Sequence, residues 1–328
     1  MDLLQQFIER AKKRPARIVF PEGHDQRIVS AAAQAREMGI AHPVILGEIG
    51  AVKELAMKEG VDIDGISVIS PHDPSFVERY ARIYAQARDM REAIAVKLVR
   101  KPLSFGGMMV RAGDADAMVG GVDSATATVI QTSSLTIGFG ENISTPSSFF
   151  IMIIPEFAGE KDKVFLFADC AVNIQPNARQ LAEIGVATGG NARRLLGMEP
   201  KIAFLSFSTK GSANHTDVDK VVEAVDIARK MKPDYRIDGE LQGDAAIVSR
   251  VARKKVKESP VAGEANVLIF PDLDAGNICY KLVQYCANAK ALGPLLQGFA
   301  KPVNDMSRGA TVDDLVGVTA ITSVQACG

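Results

Sequence analysis

Val267-Leu-Ile-Phe-Pro-Asp-Leu-Asp-Ala-Gly-Asn277 is an apolar run closed by a proline and followed by a polar loop. A strand without polar alternation fits burial on both faces, as in a parallel sheet covered by helices. The same pattern recurs along the chain. Strands are expected at Arg17–Phe20, Pro43–Leu46, Ile66–Ile69, Ala115–Val119, Phe149–Ile154, Val164–Phe167, Ile202–Leu205, Tyr235–Asp238 and Leu295–Gln297, nearly all leading through a loop into a helical pattern. One long helix is expected from Pro74 to about Val99. This alternation predicts an α/β architecture of doubly wound, mainly parallel sheets.

Open parallel sheets bind ligands beyond the carboxyl ends of their strands. Ser206–Ser212, Asp238–Asp244, Pro271–Asn277 and Asn304–Arg308 are polar segments in such positions, and all four are expected at one edge. The loop-rich stretch Gly138–Pro146 is the expected domain boundary.

Size and composition exclude several classes. The 328 residues suffice for two domains, with 47% hydrophobic and 23% charged residues, as in ordinary soluble proteins. A net charge of -1 disfavours a nucleic-acid partner held by bulk electrostatics. Cys170, Cys279, Cys286 and Cys327 form no close pairs, which argues for free thiols and a cytoplasmic location. No signal peptide or membrane span is expected: the amino-terminal segment has no basic-then-apolar pattern, and the run Phe149–Pro155 is too short. The histidines show no metal-ligand spacing. Asp238/Glu240 and Asp272/Asp274 read as structural hydrogen-bonding pairs rather than metal or glycosidase acids.

The segment Lys301–Val316 carries the chemistry. Ser307, Arg308 and Gly309 precede a helix with Asp313 and Asp314 in its first turn and an apolar body through Val324. Such a helix front offers unpaired amides and a positive dipole end to an anion. Ser206, Ser208, Thr209, Lys210 and Gly211 form a second anion-friendly loop, whose lysine spacing is not a Walker A motif. Gly120–Thr128 is a glycine-rich helix entry.

Taken together, the segments 205–212, 238–242, 244–248, 259–263, 266–273, 275–278 and 301–309 resemble the phosphotransacetylase family (phosphate acetyl- and butyryltransferases) over essentially the full length. The resemblance implies reversible transfer of an acetyl group between acetyl phosphate and coenzyme A. It implies two α/β domains of isocitrate/isopropylmalate dehydrogenase-like type with an interdomain cleft: residues 1–143 plus 299–328, and residues 144–298. It implies a homodimer, coenzyme A as substrate, no further cofactor and no metal in the chemical step. By position, Asp314 corresponds to the catalytic base for the thiol, Arg308 to the phosphate-holding arginine and Ser307 to the transition-state serine. Ser206, Ser208, Thr209, Lys210, Gly211, Asn277, Asn304, Ser124 and Thr128 fall among the expected substrate contacts, with Arg88 matched more loosely.

There are two departures. Ile130 stands where the family carries one arginine, and an earlier family arginine is matched only loosely by Arg88; the middle stretch Phe105–Asp116 looks more like the phosphotransacetylase-like domain appended to some malic enzymes. Two alternatives therefore stand beside acetyl transfer: a butyryl- or propionyl-preferring relative, and a non-catalytic module sensing acetyl-coenzyme A or acetyl phosphate.

The residues leave some roles open. Thr311-Val-Asp-Asp314 also reads as a capping box. Ser307 also reads as a cap of its own loop, and Arg308 as an ion-pair partner of Asp305 or Asp313. Full proton transfer from a thiol of pKa about 8.5 to an aspartate of about 3.9 is uphill by roughly 6 kcal/mol. Either apolar burial raises the aspartate's pKa, or proton loss is concerted with attack. Val312, Leu315 and Val316 offer an apolar wall, so Asp314 is expected to be largely buried.

Overall fold

The computed structural model describes residues 2–232 and 234–327. The chain forms two compact units, Met1–Phe139 with Phe299–Gly328, and Gly140–Gly298.

In the first unit the elements run α1 (Leu3–Lys13), β1 (Ala16–Phe20), α2 (Gln26–Glu37), β2 (Ala41–Leu46), α3 (Ile49–Glu59), β3 (Ser67–Ile69), α4 (Pro74–Arg88), α5 (Glu92–Val99), α6 (Pro102–Ala112), β4 (Ala117–Gly120) and α7 (Thr126–Thr136). The expected long helix is two, because Asp89 closes α4 in the left-handed region with φ 49°. The second unit holds β5 (Ser147–Phe157), β6 (Glu160–Ala168), α8 (Ala178–Leu196), β7 (Lys201–Leu205), α9 (Thr216–Met231), β8 (Arg236–Leu241), α10 (Gly243–Ile247), α11 (Ser249–Lys255), β9 (Val267–Ile269), α12 (Leu273–Cys286) and β10 (Lys290–Gln297). The chain returns to the first unit for β11 (Val303–Asp305) and α13 (Val312–Cys327).

The first unit's sheet has the order β11-β4-β1-β2-β3 and is parallel throughout. The second unit's order is β10-β5-β6-β9-β7-β8. Here the expectation of parallel pairing holds only for β6, β9, β7 and β8. β5 and β6 form an antiparallel hairpin, and β10 pairs antiparallel with β5. The hairpin turn places Ala158 at φ 52° and Gly159 at φ 84°, both in the positive range that matches strand twist in tight hairpins.

α13 is buried along most of its length: Leu315, Val316, Ala320, Ile321 and Val324 are core. It packs against α1, α2, β1 and β4. Its polar side chains are satisfied inside that core. The Thr319 and Thr322 hydroxyls donate to carbonyls four residues back, and Ser323 Oγ accepts from the Ala16 amide at 2.8 Å. The packing fixes where the amino end of α13 emerges, beside the carboxyl ends of β11, β4 and β1.

Candidate functional site

Three loops meet at the carboxyl edge of the first unit's sheet: 21–25 after β1, 121–125 after β4, and 306–311 after β11. Each leaves one of three adjacent strands. The segment Asn304–Arg308 therefore belongs to a different sheet from Ser206–Ser212 and Pro271–Asn277, which corrects the expectation of one shared edge. Asp238 to Leu241 lie inside β8 rather than in a loop after it.

Ser307, Arg308 and Asp314 are all exposed on the third loop and first turn of α13. Among the described residues the Arg308 guanidinium has no ion pair, so neither Asp305 nor Asp313 takes it. Its backbone is held instead: Arg27 Nη1 donates to the carbonyls of Arg308 at 2.7 Å and Ala310 at 3.1 Å. Arg27 Nη2 donates to Val122 O in the second loop at 3.0 Å, and the same guanidinium pairs with Asp25. That pairing holds the Asp25 carboxyl below the usual carboxylate range. One side chain thus ties the three loops together, leaving Arg308 free to meet a phosphate as a planar fork.

Ser307 and Asp314 follow the structural readings. Ser307 Oγ accepts from the Gly309 amide at 3.2 Å. Asp314 Oδ2 accepts from the Thr311 amide at 2.9 Å and its hydroxyl at 2.8 Å, while Thr311 Oγ1 accepts from the Asp314 amide. This is a capping box with Asp at the third position. The expected burial of Asp314 is not found: Leu315 and Val316 turn into the core, and Asp314 faces solvent.

The glycine-rich loop is already filled by a carboxylate. Glu22, 3% exposed, accepts from the amides of Gly121, Val122, Asp123 and Ser124 at 2.7 to 3.2 Å. An amide nest that suits a phosphate is occupied from within. Ser124 is half-buried and Thr128 exposed at the start of α7. Asp305, at the end of β11, is 6% exposed and accepts from Thr126 Oγ1 at 2.5 Å. Burial, with Glu22 nearby, pushes its carboxyl up to about 6.

Other expected contacts are used structurally. Asn304 is fully buried and donates from Nδ2 to Thr322 Oγ1 and Gln325 Oε1, both at 2.7 Å, locking β11 to α13. Arg88 donates to the carbonyls of Ser134 and Leu135, at the carboxyl end of α7, where a cation complements the helix dipole. Ile130 is half-buried on α7.

In the second unit, the loop 206–212 repeats the internal-carboxylate device. Glu240 Oε1 accepts from Ser208 Oγ at 2.9 Å and the Gly211 amide at 2.7 Å. Lys210 Nζ is engaged by buried Asp238 at 2.5 Å and by Gly239 O. Thr209 bonds Gln242, and Ser206 Oγ accepts from the Ser208 amide. In this arrangement Lys210 is an ion-pair partner of Asp238. Asn277 donates to Cys170 O at 3.0 Å.

Glu22, Arg27 and Asp305 were missed by the sequence reading. For Glu22 the available signal was a carboxylate just after the apolar strand β1, which has to be satisfied at the sheet edge; Arg27, inside α2, and Asp305, ending the three-residue β11, carried no such signal.

Residues 2–323 match the family described as phosphate acetyl/butaryl transferase. The phosphate acetyltransferase of Thermoanaerobacterium thermosaccharolyticum is 46% identical over 329 residues, covering 99% of this chain and 100% of that protein. The solved structure of the EutD phosphotransacetylase from Staphylococcus aureus is 38% identical, with a TM-score of 0.90 over 99% of this chain and 98% of that one. A phosphotransacetylase from Streptococcus pyogenes gives 39% and 0.90, covering 98% of each chain.

Proposed function

Because the chain belongs to the phosphate acetyl/butaryl transferase family, we propose that it is an acyltransferase moving an acetyl group reversibly between acetyl phosphate and coenzyme A. The observation that carries this reading is Arg308, an exposed and unpaired guanidinium on a loop pinned through its own carbonyl. Bidentate contact from Arg308 holds the phosphoryl oxygens and neutralises charge as phosphate leaves. The thiol sulfur attacks the acetyl carbonyl, the C–O bond to phosphate breaks, and the thiol proton passes to a base. Holding both substrates for one displacement supplies much of the rate.

Asp314 is the proposed base. Exposed in its capping box, it takes the proton in concert with attack rather than by prior ionisation of the thiol. Ser307 donates to the carbonyl oxygen as negative charge develops there. Ser124 and Thr128 line the same edge as polar substrate contacts. No cofactor beyond the substrate coenzyme is proposed.

The protein is further proposed to be a cytoplasmic homodimer. α12 exposes Ile278, Leu282 and Tyr285, and a cavity of about 700 Å³ beside it is lined by Phe157, Phe165, Phe167, Leu268, Phe270 and Val283. Exposed apolar patches of this kind mark interaction surfaces, and a second copy of the chain is the proposed cover. A monomeric mass by light scattering at micromolar concentration rejects the dimer.

Thioester formation from coenzyme A and acetyl phosphate tests the activity. The wild type is expected to turn over, and Arg308→Ala to lose about 100- to 1,000-fold in kcat/KM. Absence of turnover in the wild type overturns the reading.

A further inference from the structure

We infer that Asp305 is a positioning residue for the Ser307–Arg308 loop: through Thr126 and the bare face of Gly121, it fixes that loop against the amino end of α7. The inference rests on the acyl-transfer reading of this edge.

Four observations support it. Asp305 ends β11, two residues before Ser307, and its main chain continues into the Met306 amide, which donates to Gly120 O at 2.7 Å. Its Oδ2 accepts from the hydroxyl of Thr126, the first residue of α7, at 2.5 Å. Its Oδ1 is buried with no partner among the described residues. A Cβ at Gly121, where φ is +97°, would overlap Oδ1 and Cγ, so the carboxyl packs directly on that glycine's backbone. A side chain so placed sets the distance between the Ser307–Arg308 loop and the start of α7, with Ser124 just before it and Thr128 in its first turn.

The site's two acids divide the work. Glu22 from the 21–25 loop collects four amides. Burial of Asp305, with Glu22's charge nearby, favours its neutral form up to about pH 6, opposed only by the hydroxyl donor of Thr126. The other charged groups of these loops are committed or turned outward. Arg27 of α2 pairs with Asp25, exposed His24 pairs with exposed Asp123, and Arg308, Asp313 and Asp314 are exposed.

The folded state binds the Asp305 proton more tightly than the unfolded chain, so this contribution to stability is complete below about pH 4. It is lost as pH rises towards about 6.

Three variants test the inference: Asp305→Asn, Asp305→Ala and Thr126→Val. Asp305→Ala is expected to lose at least about tenfold in kcat with KM for coenzyme A changed less than about threefold, as loop displacement predicts. Asp305→Asn, which keeps the shape of the neutral acid, should recover most of that loss. Its melting temperature should gain on the wild type between pH 4 and 6. Thr126→Val should share the loss non-additively with Asp305→Ala. If Asp305→Ala stays within twofold of the wild type, or Asp305→Asn matches Asp305→Ala without any pH-dependent gain, the inference is overturned. A wild type without turnover overturns the acyl-transfer reading instead. Asp305 is then decided by amide exchange of residues 121–128, corrected for intrinsic rates: faster exchange in Asp305→Ala and Thr126→Val supports it, and unchanged exchange rejects it.

Discussion

The carboxylate of Glu22 lies 2.7 Å from the amide of Gly121, in a position where a bound phosphate oxygen would be at home. The next three amides point at the same carboxylate. The glycine-rich turn is thus a preformed structural element and does not wait for an anion to order it. On the proposed reading, substrate phosphate is met by Arg308 on the neighbouring loop, whose guanidinium has no ion pair among the described residues.

Glu22→Gln should be costly for that reason. The amide side chain offers one acceptor oxygen and turns two N–H donors towards a ring of donors. Loss of charge-assisted hydrogen bonds should cost about 2–3 kcal/mol of stability, measured by urea unfolding. Activity should fall with it, since the turn abuts the Arg308 loop. Unchanged stability would show that the four bonds are replaceable by water.

Asp314 and Thr311 share one capping box, so substitutions can separate structure from chemistry. Thr311→Ala should cost about 1 kcal/mol of stability with kcat nearly preserved. Asp314→Asn keeps an acceptor oxygen for the cap, and should melt within a few degrees of the wild type while kcat drops at least about 100-fold. Equal kinetic losses in the two variants would reduce Asp314 to a cap.

Lys210→Met probes the second unit's loop. Asp238 is 1% exposed and bonded by both Lys210 and Arg229. Removing the lysine leaves Arg229 in place, so a stability loss of about 1–3 kcal/mol is expected. KM for acetyl phosphate should change less than about threefold. A tenfold rise in KM at unchanged stability would return Lys210 to the phosphate.

Much of the architecture was legible in the sequence because buried parallel strands are apolar runs bounded by breakers. What escaped has local causes. β11 has three residues and no periodicity of its own. The β5–β6 hairpin turns at Ala158 and Gly159 without the Asn-Gly or Asp-Gly pair that signals such a turn. The break between α4 and α5 falls on Asp89, with neither glycine nor proline to mark it. At the site, the motif located the Ser307–Arg308 loop, and spacing alone suggested the Thr311–Asp314 cap. Which cations are free is decided by partners distant in sequence, as Asp238 is for Lys210 and as the α7 carbonyls are for Arg88. Apolar neighbours of Asp314 along the chain gave the wrong burial, because on a helix Leu315 and Val316 point away from it.

The placement of α13 has a consequence for biosynthesis. Its binding groove is made by α1, α2, β1 and β4, all of which leave the ribosome before any of the second unit, whereas α13 follows that whole unit. During translation the amino-terminal segment therefore stands with an uncovered apolar trough and an unpaired edge at β4, while residues 140–298 acquire their own core. Nascent chains stalled before β11 should be holdase clients and aggregation-prone, and release of the final helix should end that dependence.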